Sequence, residues 1–238
     1  GKYDVSFLLS VFLGGILTLC FSYLLSKILS PLKNDYYTLG SFGANIILFS
    51  LFVNMSSLTG GPAGIFNIPE AHLFGISITS PFAYFILSTL FMGSVLLCIH
   101  LLTKSRFGLV IEAIRDDAVA VKSFGYNVTE YKTTAFVVSS VIASVAGSLY
   151  AVYISYISPT MFSLSESIFM VTMIVVGGLA SKRGAIFGAV FVILLPELLR
   201  FVGLPETVAA QTRVLLYGAI LMYLMYKKPN GIFGTYTP

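Results

Sequence analysis

Seven apolar stretches dominate this sequence, at about 5–25, 36–55, 81–102, 133–155, 166–181, 184–202 and 208–226. A helix of roughly 20 apolar residues is what crosses about 30 Å of hydrocarbon. A buried soluble core has no use for so many of them. The first, third, fourth and seventh are long and nearly free of charge. The second is interrupted near its start by Gly40 and Gly43, and the fifth and sixth are short and separated only by "SKRG". These last two read as tilted or partial spans. Composition agrees: 57% of the residues are hydrophobic and 10% charged, against about 25% charged in ordinary soluble domains. The expected fold class is all-α, a polytopic integral membrane protein of six to seven helical segments, some short or broken.

The lysines and arginines set an orientation, because basic residues collect in cytoplasmic loops. With the loop 103–132 inside, Lys104, Arg106, Arg115, Lys122 and Lys132 are cytoplasmic. Alternation then brings Lys27, Lys33, Lys182, Arg183, Lys227 and Lys228 to the same side, leaving Lys2, Arg200 and Arg213 outside. The amino terminus starts outside and the carboxyl terminus ends inside. The loops 56–80 and 156–165 face out. The net charge of +4 is thus a matter of topology and does not indicate nucleic acid. Cys20 and Cys98 sit within apolar runs and read as buried packing thiols, with no metal-binding spacing around them.

Between the third and fourth stretches the character changes, in "RFGLVIEAIRDDAVAVKSFGYNVTEYKTTAF" from Arg106 to Phe136. Phe107, Ile111, Ile114, Ala118 and Val121 recur at helical spacing. Glu112 and Arg115 stand at pairing distance on a helix. Gly125 marks a helix stop, and Asn127 followed by Glu130 marks the capped start of the next helix. Three roles fit this pattern. The helix lies on the inner leaflet, or packs against its own protein, or docks on a soluble partner with its stripe in a groove and its charges fixing register.

A second irregular segment is "SLTGGPAGIFNIP". Gly60, Gly61 and Gly64 give it backbone freedom, and Pro62 and Pro69 give it rigid points. Non-helical backbone at membrane depth is tolerated only within protein or beside a water-filled cavity, and transporters place such breaks at their binding sites. Thr59, Gly60, Gly61, Gly64 and Ile65 are therefore candidates for a substrate pathway; the alternative is a plain outer turn.

Other signals are weaker. Ala143, Gly147 and Ala151, and separately Gly184 and Gly188, place small residues at helical spacing, which favours close helix packing within the chain over a specific dimer. Glu197 and Arg200 near a span end read as interfacial side chains. His72 and His100 stand apart from other metal-ligating residues. Asn54 and Asn127 begin glycosylation-type tripeptides, and Asn127 falls on the cytoplasmic side.

The segment "GLVIEAIRDDAVAVKSFGYNVTEYKTTAF" resembles the hallmark loop of the permease subunits of branched-chain amino acid ABC transporters. Gly108, Ala113, Ile114, Arg115, Asp116, Asp117, Ala120, Gly125, Asn127, Lys132, Ala135 and Phe136 carry the match. Val121 departs from the second alanine of the usual pair. "SLTGGPAGI", "VVGGLASKRGAIFGAV" and "KKPNGIFG" resemble three further blocks of that family in the same order, with Ala180 where a glycine is usual. Family members usually carry additional amino-terminal membrane segments, so a short variant or a chain lacking that portion is expected.

The resemblance implies one permease domain over 1–238 in a bacterial-type inner membrane, with 103–132 as its cytoplasmic coupling loop. Glu112, Ala113, Ile114, Arg115, Asp116, Asp117, Gly125 and Lys132 would couple to a separate ATPase. The chain has no G-x-x-x-x-G-K-[ST] phosphate loop, so ATP and its magnesium are expected on that partner, with no cofactor on this chain. The implied partners are a second permease subunit, two cytoplasmic ATP-binding subunits, an extracytoplasmic substrate-binding protein and membrane lipid. The implied cargo is a branched-chain or related hydrophobic amino acid, with urea or short amides as the alternative. A secondary transporter would need more ionisable groups inside its spans than this chain offers.

Overall fold

The computed structural model describes residues 7–32, 34–69, 72–73, 76–77 and 80–200, together with 218, 219, 222, 226 and 233. The chain forms two compact units, Gly1–Met161 and Phe162–Pro238.

The first unit is built on four helices long and apolar enough to cross a membrane. They are α1 (Phe7–Leu29), α2 (Asn34–Asn54), α4 (Pro81–Lys104) and α7 (Val128–Ile154). Between α2 and α4 lie the single turn α3 (Ser56–Thr59) and the two-residue strands β1 (Ile65–Phe66), β2 (His72–Leu73) and β3 (Ile76–Ser77). Two short helices, α5 (Arg106–Asp116) and α6 (Ala118–Ser123), join α4 to α7, and β4 (Tyr156–Ile157) follows α7.

The main contact is the antiparallel pair α1 and α7. Gly14 of α1 faces the Ser148 hydroxyl, and Gly15 faces Ser144 and Val141. Near the other end, Ser30 just beyond α1 meets Thr133 of α7 through a buried hydroxyl pair. Small residues let the two backbones approach, which is how helices associate where water offers no hydrophobic drive. The Gly147 side of α7 is open, with nothing where a Cβ would lie. The small-residue pattern Ala143, Gly147, Ala151 therefore does not make this contact.

Chain ends sort as alternation requires. The end of α1 and the start of α7 adjoin, with the α4–α7 connection at that same end. At the opposite end β1 pairs antiparallel with β4, Ile65 opposite Ile157 and Phe66 opposite Tyr156. Nearby β2 pairs with β3.

Cys20 and Cys98 are free thiols and exposed; the expectation of buried thiols is corrected. A membrane helix is apolar all round, so an apolar run does not reveal which side is covered.

The second unit contains α8 (Leu164–Gly177) and α9 (Lys182–Arg200). At 14 residues, α8 is about 21 Å long, short of a full span as its sequence suggested. The two helices pack at glycines: a Cβ on Gly177 would overlap the Gly184 carbonyl, and one on Gly188 would overlap that of Met173. The turn between them uses positive φ at Gly178 (120°) and Ala180 (60°). The Ser181 hydroxyl then accepts the Gly184 N–H at 3.1 Å to start α9. Phe233, from the closing "NGIFG", donates its N–H to the Gly177 carbonyl at 2.9 Å and sets its ring edge-on to Phe187. Most of the seventh apolar stretch, and the side chains of Glu197 and Arg200, lie outside the described residues.

Candidate functional site

The charged connection between α4 and α7 is a folded unit. Its entry depends on glycine: a Cβ at Gly108 would overlap the carbonyl oxygens of Leu102 and Thr103. Ser105 caps α5, its hydroxyl accepting the Gly108 N–H at 3.4 Å. Along α5 the Arg115 guanidinium is shared between Glu112, at 3.5 Å, and Asp116, at 3.0 Å. All three side chains are exposed, so the cluster contributes little to stability.

The sequence pattern implied one helix from Phe107 to Val121, and here the structure corrects it. The helix breaks at Asp117, whose backbone is extended (φ −151°, ψ 97°). Its carboxylate accepts the N–H groups of Val119 at 2.9 Å and Ala120 at 3.0 Å, starting α6. Aspartate competes with the helical backbone for such N–H groups, which makes it a poor interior residue and a good cap. That chemistry was legible in the pair Asp116-Asp117 but was outweighed by the unbroken apolar stripe.

The stripe itself turns inward. Ile114 is 6% exposed and Val121 8%, and Phe107 stacks on Tyr131 of α7 with ring centroids 5.6 Å apart. Of the three roles left open by the pattern, packing against its own protein describes the buried part of the stripe, Ile114 and Val121. Gly125 takes the left-handed conformation expected of a helix stop (φ 87°). Asn127 accepts the Glu130 N–H at 3.4 Å as the cap of α7. The coupling candidates thus divide. Glu112, Ala113, Arg115, Asp116 and Lys132 face outward. Ile114, Asp117 and Gly125 shape the unit that presents them.

The glycine segment sits at the opposite end of the first unit. The Thr59 hydroxyl lies 2.6 Å from the Phe52 carbonyl oxygen and 2.9 Å from that of Met55. It also accepts the Gly61 N–H at 3.1 Å. Thr59 therefore closes the end of α2. Gly60 (72°), Gly61 (60°) and Gly64 (77°) all have positive φ, and a Cβ on Gly64 would overlap the Ile157 carbonyl. Ile65 pairs in β1.

Three residues that sequence reasoning missed hold this segment from the far end of α7. Ser158, 1% exposed, donates its hydroxyl to the Pro62 carbonyl at 3.1 Å. The Tyr156 hydroxyl reaches the Ala63 carbonyl at 3.0 Å, and its ring stacks on Phe66 at 4.6 Å. Ser155, with φ 57°, accepts the Ile68 N–H at 3.2 Å. The only hint in the sequence was the polar run "SYISP" closing a long apolar helix. Among the described residues no three metal-ligating side chains converge.

The model of the family described as branched-chain amino acid transport system permease component matches residues 2–225. The chain belongs to this permease family. Among curated relatives, the high-affinity branched-chain amino acid transport system permease protein LivM of Salmonella typhimurium is 28% identical over 97% of this chain. Its counterpart in Escherichia coli is 27% identical over the same share. A probable branched-chain amino acid transport permease protein LivM from Methanocaldococcus jannaschii is 24% identical over 85%. The chain spans 58% of the length of the first two and 61% of the third. No solved structure matches significantly. As a member of the permease family, with four helices of spanning length and character, the chain is a multi-pass membrane protein.

Proposed function

We propose that this chain is the membrane subunit of an ATP-driven importer of branched-chain or related hydrophobic amino acids, with α5 and α6 as the element that couples it to a separate ATPase. The observation that carries this reading is the charged unit between two spans, capped at Ser105, Asp117 and Asn127 and stacked on α7 through Phe107 and Tyr131. A rigid unit of this kind transmits a push from outside the membrane into a span; a loose loop would absorb it. Glu112, Ala113, Arg115, Asp116 and Lys132 offer the contact side. The break at Thr59 to Ile65 lies at the opposite end of the Gly1–Met161 unit, and its irregular backbone suits a wall of the substrate path.

The assembly would comprise a second permease subunit, two cytoplasmic ATP-binding subunits and an extracytoplasmic binding protein, in an inner membrane with the carboxyl terminus inside. The relatives' names support the cargo. The test is reconstitution in vesicles with the cognate partners. Uptake of leucine, isoleucine or valine should require ATP and the ATP-binding subunits, and should be lost when Arg115 and Asp116 are both replaced by alanine. Uptake by the permease alone, driven by an ion gradient, would sink the reading.

A further inference from the structure

A gap of about 740 Å³ opens between α4 and α7, a size ordinary for a ligand pocket. Its walls run from Pro81 to Val95 on α4 and from Ile142 to Tyr153 on α7. At the rise of a helix those stretches measure about 17–21 Å, against about 36 Å for the whole of α4. The gap therefore begins at the end of the spans where β4 follows α7, and stops near the mid-plane of the membrane. At its mouth the rings of Tyr84 and Tyr153 meet edge-on, centroids 5.5 Å apart, with Tyr150 a turn deeper. Tyrosines collect at the level of lipid headgroups. Below them the lining is apolar. It includes Phe91, whose ring meets Phe7 of α1 edge-on, with Met92, Leu149 and the short side chains of Ala143 and Ala146. The Ser88 hydroxyl in this wall donates to the Phe85 carbonyl of its own helix at 3.0 Å.

These dimensions select the occupant. A transmembrane helix needs about 30 Å of groove, and this gap is too short for one. A zwitterion or a file of water needs polar partners at depth, and the deep wall is apolar. An acyl tail needs neither. One leaflet of hydrocarbon is about 15 Å deep, so the gap has the reach of a single tail. Dispersion contacts with a tail also fill space that a packed interior does not leave empty. The gap opens sideways, where Phe85 is 67% exposed, so a tail enters from the bilayer without parting Tyr84 from Tyr153. We propose that an acyl tail of a phospholipid, from the leaflet on the β4 side, is bound in this gap as a filler between α4 and α7. The tyrosines meet its headgroup end, and the tail sets the spacing of the two spans that α5 and α6 join. This site does not depend on the coupling role proposed above.

The chain contains no tryptophan, so a single introduced indole reports alone. Phe85→Trp places it on the wall of the gap. Phe12→Trp is the control, on α1 at 64% exposure and a similar distance from the start of its helix. The full chain is reconstituted in vesicles of phosphatidylcholine brominated along its acyl tails. The indole at 85 should be quenched about twofold more than the indole at 12, because a bound tail touches it as well as the surrounding bilayer. Ala146→Phe, or Ala143→Phe made separately, should fill the gap and bring quenching at 85 down to the level at 12, with membrane insertion unchanged. Equal quenching at 85 and 12 overturns the proposal, and so does quenching at 85 that neither filling variant lowers. Weaker quenching at 85 than at 12 also overturns it, and aqueous iodide then tells water in the gap from a protein segment.

Discussion

The hydroxyls of Ser30 and Thr133 lie 2.9 Å apart, 103 positions from each other in the chain and buried between α1 and α7. The Ser26 hydroxyl extends the contact, 3.1 Å from Ser30. Thr133 stands one residue after Lys132, on the first turns of α7, so the pair ties α1 to the helix that leaves the charged unit. Thr133→Val keeps the shape and leaves Ser30 with Ser26 alone, and should cost about 1 kcal/mol. Thr133→Ser should be tolerated. Thermal unfolding in detergent decides, and adding Ser30→Ala to Thr133→Val should cost less than the two changes taken singly would suggest.

Ala180 holds a positive φ of 60° at the position where the resembling motif has glycine. An alanine Cβ is crowded there by about 1 kcal/mol, and glycine has no Cβ to crowd. Ala180→Gly should therefore raise the melting temperature, against the usual cost of adding a glycine. Ala180→Val should lower it. No gain from glycine would mean that the turn relaxes without help.

The two small-residue patterns that look alike in sequence should respond in opposite ways. At Gly188 a Cβ would overlap the Met173 carbonyl and lie 2.8 Å from the Gly177 nitrogen. Gly188→Ala must push α8 and α9 apart, at a cost of about 2–3 kcal/mol. At Gly147 a Cβ meets nothing within 4 Å, so Gly147→Ala gains helix propensity of up to about 1 kcal/mol. Equal losses of stability at both sites would contradict the packing described.

That contrast shows what a single sequence can and cannot reveal here. Six of the seven apolar stretches became helices close to the expected bounds, because length and lack of charge decide membrane helices almost alone. The caps at Asn127 and the stop at Gly125 were readable because each is a local reaction of side chain or backbone to a helix end. The sides of the spans were not readable: with apolar residues all round, nothing in α7 said that Ser144 and Ser148 face α1 while Gly147 does not. The ties from Ser158 to Pro62 and from Tyr156 to Ala63 join positions more than 90 apart. No spacing rule reaches that far. At Asp117 two local signals competed, and the cap won over the stripe.

The segment from Thr59 to Ile65 gives the sharpest test of the substrate path. Gly64 has φ 77° and ψ −169°, a region open essentially to glycine alone, and its missing Cβ leaves room for the Ile157 carbonyl. Gly64→Ala should break the pairing of β1 with β4 and reduce uptake in reconstituted vesicles at least tenfold. On the proposed coupling role the ATP-binding subunits should stay bound, because the charged connection lies at the other end of α7. Ser158→Ala removes one tie to Pro62 and leaves the glycine conformation possible, so a partial loss is expected, with most of the maximal rate retained. If Gly64→Ala carries substrate at the normal rate, the segment is an outer turn and the path runs elsewhere. If it instead releases the ATP-binding subunits, the two ends of the unit are mechanically joined and the segment's effect on transport is indirect.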